Sequence, residues 1–324
     1  MLFSRFVLLA SVGFLTLLIS QQADASLMVT VGNINNAADD TGYGAVGYEY
    51  RISATEVTNS EYAAFLNAVA GTDTYSLYKS SMSDSSVGIS QNGSPGNFIY
   101  SVNSGRGENP VAHVSFYDAL RYTNWLHNGM GNGDTENGAY TITDEGITNN
   151  SITRNTGATW FLPNEDEWYK AAYYDPTLNS NTGGYFDFAT RSDVAPTAEL
   201  PAGGINSANY NNVFGNTTAV GAYTSALSPY GTYDQSGNLW EWNEAIINFD
   251  SSYRGLRGGS WLDTPPISSS WYRNDVYPSF EVYTVGFRVA SLSSPASVPE
   301  PGSLAVWAVL GGIGLCWRRR RARK

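Results

Sequence analysis

The sequence has 324 residues, of which 42% are hydrophobic, and such an apolar fraction is enough for a packed core and excludes a wholly disordered chain. Seven of the 18 basic residues and two of the 29 acidic residues lie outside residues 26–298, which leaves 11 basic against 27 acidic side chains and a net charge of −16 there. Such a negative charge repels nucleic acid. An acidic surface usually serves solubility, and binding of divalent cations is the second interpretation.

The first 25 residues have the pattern of a secretory signal peptide. Arg5 gives a positive start, Phe6–Ile19 is apolar, and Ala23-Asp24-Ala25 is a small-x-small cleavage pattern before Ser26. A transmembrane helix is the alternative, but the apolar run is short and ends in the cleavage pattern. We therefore predict export, with the mature protein beginning at Ser26.

Short strands and three capped helices are predicted in the body of the chain. Residues Val29–Ile52 alternate apolar and small residues, which is typical of strands and turns. Three capping patterns then predict helix starts, at Thr58 with Glu61, at Ser115 with Asp118, and at Asn164 with Glu167. These carboxylates could be catalytic acids, but helix capping accounts for each of them. Long Gly/Ser/Asn-rich stretches cover 71–109 and 128–157, and no long helix is predicted after Tyr173.

Cysteine and histidine are scarce. Cys316 is the only cysteine and lies near the C-terminus, so the body has no disulfide, no cysteine-based zinc site and no thiol nucleophile. The two histidines, His113 and His127, flank the second predicted helix and are too far apart to share one helical turn. A surface or half-buried histidine is the better interpretation of each than a shared metal site.

The C-terminal residues form a linker and a tail. Residues 291–298 are a Ser/Pro-rich linker, and residues 299–324 contain Pro-Glu-Pro, the apolar run Gly302–Trp317 and a basic cluster from Arg318. A helix over these 16 apolar residues would span about 24 Å, slightly less than a hydrocarbon core of about 30 Å. The basic cluster would remain cytoplasmic, which leaves residues 26–298 outside.

An ordinary stop-transfer anchor is one interpretation of this tail. The order of Pro-Glu-Pro, short apolar span and basic cluster more specifically resembles the PEP-CTERM sorting signal. That resemblance implies processing by an exosortase-type enzyme and delivery to the cell surface or the extracellular space. The protein would then contact a membrane only through the tail.

Seven motifs occur in order along the body of the chain. They are Thr55-Glu56-Val57-Thr58-Asn59, Asn109-Pro110-Val111, Phe161-Leu162-Pro163-Asn164-Glu165, Tyr230-Gly231-Thr232-Tyr233-Asp234, Gly237-Asn238-Leu239-Trp240-Glu241-Trp242, Arg257-Gly258-Gly259-Ser260-Trp261 and Val285-Gly286-Phe287-Arg288. This succession resembles the formylglycine-generating enzyme, or sulfatase-modifying factor, family. The resemblance implies a single loop-rich α+β domain over residues 26–290, C-type-lectin-like, with little regular secondary structure. In structural terms, Gly258 and Gly259 would let the backbone turn, and Trp240, Trp242 and Trp261 would fill the core.

The catalytic cysteines of that family are missing. Active members use a cysteine pair between the G-G-S and G-F-R motifs to hold copper(I), activate oxygen and oxidise a substrate cysteine to formylglycine. Here the interval Trp261–Val285 contains no cysteine, with Pro265-Pro266 near the first expected position and Ser270 near the second. A hydroxyl cannot replace a thiolate as a soft-metal ligand, so copper binding and the family's oxidase reaction are not expected.

Structural calcium is a further implication of the resemblance. Matched residue by residue, one site would use the side chains of Asp234 and Glu241 with the backbone carbonyls of Gly237 and Leu239, and a second would use Asn209 and the Tyr210 carbonyl. Oxygen ligands that include two carboxylates suit a hard cation. A turn carboxylate and a core hydrogen bond are the alternative interpretation of Asp234 and Glu241.

Three functions remain open from the sequence. The first is a non-catalytic module that binds peptide or exopolysaccharide in a groove floored by Trp240 and Trp271. The second is a divergent oxidoreductase or transferase that acts through a polar cleft formed by Ser270, Arg273, Asp275 and Arg288. The third is a structural component of an extracellular polysaccharide matrix. We favour the first and third together, as a surface-matrix binding protein whose ligand the sequence does not name.

Overall fold

A computed structural model describes residues 27–247 and 252–292, so the predicted signal peptide and sorting tail lie outside the described residues. The strands are β1 Met28–Val31, β2 Tyr50–Ser53, β3 Ile89–Asn92, β4 Ile99–Val102, β5 Trp160–Phe161, β6 Tyr174–Asp175, β7 Gly184–Tyr185, β8 Thr197–Ala198, β9 Ser207–Ala208, β10 Trp240–Ile247, β11 Tyr253–Arg257, β12 Asn274–Val276, β13 Val285–Gly286 and β14 Ala290–Ser291. The helices are α1 Asn59–Val69, α2 Phe116–His127, α3 Asp144–Thr148, α4 Glu165–Tyr173 and the single turn α5 Leu178–Asn181, with 3₁₀ turns at Ser80–Ser83 and Pro265–Ser268.

The three predicted helix starts are confirmed. In α1, α2 and α4 the N-cap side chain accepts from the backbone N–H three residues on, and the carboxylate at that position accepts from the N-cap N–H. In α2, for example, Asp118 accepts from the Ser115 amide at 2.8 Å. Each capping carboxylate therefore satisfies a helix-end donor that would otherwise lack a partner. In the described residues after Tyr173, helical structure is limited to α5 and the second 3₁₀ turn, as predicted.

Two four-stranded sheets organise the chain. One has the order β1-β2-β14-β5 and the other the order β12-β11-β10-β13. Strand β14 lies between β2 and β5 and is antiparallel to both, whereas β10 pairs in parallel with β13. The strands β3-β4, β6-β7 and β8-β9 form small two-stranded pairs. The second sheet thereby brings the W-E-W motif next to the G-F-R motif.

The core is rich in aromatic rings. Tyr62 and Phe65 of α1 meet Tyr122 of α2 and Phe287 of the G-F-R motif, with the Tyr122 and Phe287 centroids 5.3 Å apart. Trp242 is fully buried, and its indole N–H donates to the Val114 carbonyl at 3.0 Å. Edge-to-face contacts of this kind stabilise a core beyond the burial of area alone. Short helices, short strands and long loops make this a loop-rich α+β domain, which confirms the predicted fold class.

The glycines of the R-G-G-S-W motif turn the backbone as predicted. Gly258 and Gly259 have φ angles of +98° and +76°, in the region that side chains with a Cβ rarely adopt. Within the described ranges, no helix is long and apolar enough to cross a membrane.

Candidate functional site

Arg288 and Glu241 form a fully enclosed ion pair. Both residues are 0% exposed, and the Arg288 Nε and Nη2 donate to the two Glu241 oxygens at 2.5 and 2.7 Å. Further guanidinium N–H groups donate to the Ser53 and Tyr233 carbonyls, and the Trp168 indole N–H donates to Glu241 at 2.7 Å. A buried charge needs such pairing to be tolerated. Arg288 therefore holds the scaffold together, and it does not line the polar cleft for which the sequence suggested it.

Two more carboxyl groups lie beside this pair, the buried Glu56 and the half-buried Asp234. Glu56 is 0% exposed; one of its oxygens accepts from Asn238 at 3.0 Å, and Oε2 has no hydrogen-bond donor in the described residues. Asp234 lies close enough to Glu56 for each to affect the pKa of the other, and its carboxylate accepts from the Gly221 N–H at 2.6 Å. Burial raises the pKa of Asp234 to about 6, and burial followed by the charges of Asp234 and Glu241 raises the pKa of Glu56 well above its usual range. The group has three acidic side chains beside one cation, Arg288. Binding of a proton or of a hard cation would therefore reduce the repulsion among the carboxylates.

The oxygens of this region suit calcium better than copper. Asn209 Oδ1 is buried without a donor among the described residues, while its Nδ2 donates to Asn238 at 3.2 Å. Oxygen-only donors fit a hard cation, whereas copper(I) requires sulfur that this region lacks. Across residues 27–247 and 252–292, however, no three His, Cys, Asp or Glu side chains are arranged to hold a metal. Both oxygens of Glu241, a side-chain ligand in the first predicted calcium site with Asp234, already accept hydrogen bonds from Arg288. Asn209 belongs to the second predicted site, with the Tyr210 carbonyl, and both calcium sites stay predictions.

Two of the other predicted polar-cleft residues, Ser270 and Arg273, lie beside a second ion-paired group. Ser270 is 1% exposed, and its carbonyl accepts from Arg257 at 2.7 Å. Arg273 pairs with Glu165 at 2.5 Å, and the same carboxylate pairs with Arg257 at 2.8 Å. Asp275 lies in β12, opposite Gly255 of β11. Ser270 and Arg273 thus lie around Arg257 and Glu165. Because Arg257 is the cross-strand partner of Glu241, this group neighbours the enclosed pair of Arg288.

The two tryptophans proposed as a groove floor have opposite environments. Trp240 is 6% exposed and packs with its ring centroid 6.0 Å from that of Tyr272. Trp271 is 65% exposed. Trp240 therefore belongs to the core, and only Trp271 of the two offers a ring face to a ligand.

A cleft of about 500 Å³ lies instead where five separate segments meet. We call it the Trp261 cleft, and its walls include Ser81, Ser83, Asp84, Ser86, His113, Asn216, Thr217, Trp261 and Tyr283. The N-P-V motif contributes the start of one wall, and the R-G-G-S-W motif contributes Trp261. A volume of this size lies in the range of about 300–1,000 Å³ usual for small-molecule sites.

Aromatic rings form one side of the Trp261 cleft. The Tyr283 ring centroid is 6.0 Å from that of Trp261 and 6.3 Å from that of His113. The Trp261 Nε1 and the His113 Nδ1 are both buried without a hydrogen-bond partner in the described residues. Burial lowers the pKa of His113, so its imidazole is neutral at pH 7 and has one nitrogen that accepts and one that donates. Two residues that line the cleft therefore each carry a buried polar atom without a partner among the described residues.

An acidic and hydroxyl-rich loop forms the opposite side. The Asp84 carboxylate accepts from the Ser86 amide at 2.7 Å and from the Ser86 hydroxyl at 2.6 Å. These hydrogen bonds lower the pKa of Asp84, which stays ionised at neutral pH. Asn216 donates to the Ser86 carbonyl at 2.9 Å and ties this loop to the segment that contains Thr217.

Sequence reasoning did not single out this cleft. His113 and Trp261 lie within or beside quoted motifs, but patterns alone favoured a half-buried histidine and a core tryptophan for them. Tyr283 and Asp84 belong to none of those motifs, so their place in the cleft follows only from the three-dimensional structure.

Comparison with known proteins identifies the family. A family model described as the sulfatase-modifying factor enzyme 1-like domain matches residues 19–292. The chain therefore belongs to the sulfatase-modifying factor family.

Among curated proteins, the chain is similar to hercynine oxygenases. That of Mycolicibacterium smegmatis is 26% identical over 205 residues, which cover 57% of this chain and 38% of the relative. That of Mycobacterium tuberculosis is 27% identical over 203 residues, which cover 56% of this chain and 37% of the relative. The matched region thus spans less than two fifths of the length of these relatives.

Solved structures share the fold. CarF superposes with a TM-score of 0.56 at 21% identity over 82% of this chain and 98% of that protein. Treponema denticola variable protein 1 superposes with a TM-score of 0.51 at 21% identity, over 82% of this chain and 95% of that protein. At this level of identity the likeness concerns the fold alone.

Proposed function

We propose that this protein is an exported, surface-directed binding module of its family that does not carry out copper-dependent formylglycine formation. One observation carries the proposal: Cys316 is the only cysteine, so residues 27–292 contain no thiolate. Near the expected cysteine positions, Pro265–Ser268 forms a 3₁₀ turn and Ser270 is 1% exposed. These residues do not fit copper(I), which requires soft sulfur ligands.

The Trp261 cleft is the binding site in this proposal. It combines a suitable volume, accessible aromatic rings and buried polar groups without partners, which together are the usual properties of a ligand site. A peptide or an exopolysaccharide is the expected class of ligand, and nucleic acid is not expected because residues 26–298 carry a net charge of −16. Structural calcium near Asp234 belongs to the same proposal.

Export to the cell surface or the extracellular space is the cellular part of the proposal. It is supported by the signal-peptide pattern of residues 1–25 and by the tail of residues 299–324, which lie outside the described residues. An exosortase-type enzyme would act on that tail.

A divergent oxidoreductase is the second candidate function. The similarity to hercynine oxygenases favours it, at 26–27% identity over little more than half of this chain. Such an activity would have to act through groups other than cysteine.

Oxygen consumption and mass spectrometry test the proposal. The purified full chain is supplied with copper(I) or iron(II) and a cysteine-containing peptide, beside a cysteine-bearing member of the family as a positive control. We expect no oxygen uptake above the metal-only background and no aldehyde mass shift on the peptide. Formylglycine on the peptide would refute the proposal, and metal-dependent oxygen uptake without aldehyde would favour the second candidate.

A further inference from the structure

We propose that the Trp261 cleft binds a neutral hexopyranose unit of a polysaccharide. This inference rests on the proposed binding function and specifies its ligand class. Three features of the cleft walls carry it: their aromatic rings, their lack of cationic side chains, and their two buried groups without partners.

The rings provide a stacking surface. Tyr283 is 49% exposed and lies with its ring centroid 6.0 Å from that of Trp261 at the cleft. One face of a pyranose ring presents several C–H groups, which pack against the electron-rich face of an aromatic ring. A flat, partly apolar sugar face therefore suits these walls better than a strongly hydrated ion does.

The polar walls are neutral or acidic. Hydroxyl and amide side chains surround Asp84, and no Lys or Arg is among the described residues that line the cleft. The guanidinium of Arg106 already donates to the Ser86 carbonyl and to the Thr217 hydroxyl at 3.1 Å, and Lys79 near His113 is paired with Glu281 at 2.6 Å. A uronate, sulfate or phosphate group would meet Asp84 without a cationic partner, which is unfavourable. The cleft thus selects uncharged polyols over acidic polymers.

The groups without partners call for hydroxyls. The Trp261 Nε1 can only donate, and the His113 Nδ1 accepts or donates according to its tautomer. Both atoms are buried, so a hydroxyl reaches either one only when its side chain shifts toward the ligand. A sugar hydroxyl both donates and accepts, so neighbouring hydroxyls of one ring then satisfy either arrangement. Leaving such buried groups unpaired is unfavourable, so a ligand that pairs them gains affinity.

A peptide fits the cleft less well. Peptides that bind in extended form commonly add a strand to an exposed sheet edge, which supplies backbone hydrogen bonds. The described lining residues belong to loops and to the Ser80–Ser83 turn, and none lies in β1–β14. Recognition in this cleft therefore depends on side chains, as sugar binding does.

Calorimetry on the full chain tests the inference at fixed calcium. The probes are the neutral hexasaccharides of glucose, mannose, galactose and N-acetylglucosamine, hexagalacturonate as the anionic sugar, and a pool of unstructured decapeptides. We expect at least one neutral hexasaccharide to bind and hexagalacturonate to bind at least tenfold more weakly.

Two variants locate the binding site. Tyr283→Ala removes the stacking ring and should weaken sugar binding about three- to tenfold. Trp261→Phe keeps an aromatic ring but removes the N–H, and it should weaken binding by a similar factor. The matched control is Tyr75→Ala, because Tyr75 is 43% exposed against 49% for Tyr283 but does not line the cleft. Far-ultraviolet circular dichroism verifies that each variant is folded.

The outcomes separate this inference from the function on which it rests. Equal binding of hexagalacturonate, neutral-sugar binding that Tyr283→Ala leaves unchanged, or no binding of any sugar would overturn the hexopyranose assignment. Decapeptide binding that depends on Tyr283 would also overturn it but would leave the proposed binding function intact. Formylglycine formation in the oxidation assay would reject the proposed function by a separate readout.

Discussion

At the scale of single residues, Gly237 shows how closely two motif segments approach each other. Its φ is +107°, and a Cβ at this position would lie 2.4 Å from the Asn209 carbonyl oxygen. The Asn238 N–H donates to the same carbonyl at 2.9 Å, so the two backbones are held together. Glycine is needed here for its conformation and also for its small size.

Replacing Gly237 should therefore be costlier than replacing another glycine with positive φ. Gly237→Ala adds a steric clash to backbone strain and should lower the free energy of unfolding by about 2–4 kcal/mol. The matched control is Gly96→Ala, because Gly96 has φ +91° and no atom within 4 Å of its added Cβ. That change should cost about 1 kcal/mol, from strain alone. Urea denaturation measures both variants, and equal losses would contradict the packing argument.

At the scale of elements, the sequence predicts structure that depends on neighbouring residues and does not predict contacts between distant segments. The starts of α1, α2 and α4 could be predicted because a capping box depends only on residues three positions apart. The five-residue helix α3 and strands of two residues are too short to show a period. The parallel pairing of β10 with β13 joins residues more than 40 positions apart, and no local pattern encodes it.

The same limit applies to the candidate site. The motifs contain Trp261 and lie next to His113, but a motif does not show whether a side chain faces the core or a cleft. Tyr283 lies at the cleft because the loop before β13 passes beside His113. The backbone N–H of His113 donates to the Val282 carbonyl at 3.0 Å and fixes that loop. That contact depends on tertiary packing, so the aromatic wall could not be predicted.

The N-terminus of α2 gives a pH-dependent prediction. Asp118 is 2% exposed, and burial raises its pKa from 3.8 to about 7. Because the folded protein then binds this proton more tightly than the unfolded chain, this residue's contribution to stability falls as the pH rises from about 4 to about 7. In Asp118→Asn that contribution, at most about 4 kcal/mol, should be absent. Urea denaturation at pH 4, 5.5 and 7 measures it, and an unchanged slope against pH would contradict the assignment.

At the scale of the whole molecule, the protein carries negative charge both in its interior and on its surface. Residues 26–298 carry a net charge of −16, and the buried Glu56 and Glu241 and the half-buried Asp234 lie together beside Arg288. Added salt should stabilise the protein weakly by screening its surface. A cation that binds the buried oxygens should act much more strongly, because it binds only the folded state.

Calcium should therefore raise the melting temperature where sodium does not. At about 100 times its dissociation constant, calcium should add about 2.7 kcal/mol to the free energy of unfolding, which is several degrees for a domain of this size. Differential scanning calorimetry compares calcium chloride with sodium chloride at equal ionic strength, before and after chelation. Asp234→Asn should reduce the effect of calcium, whereas Asp40→Asn, at an exposed aspartate, should leave it unchanged. Equal effects of the two salts would exclude a specific calcium site.

The position of β14 has a consequence for the order in which the chain can fold. Residues Val285–Ser291 supply the parallel partner of β10, the core ring of Phe287, the counter-charge of Glu241 and the strand between β2 and β5. A ribosome makes this segment after every other described element. Until this segment has been made, β2 and β5 lack the strand that joins them, and Glu241 lacks its partner Arg288. Both sheets and the Glu241–Arg288 pair can therefore be completed only after this last segment has been made.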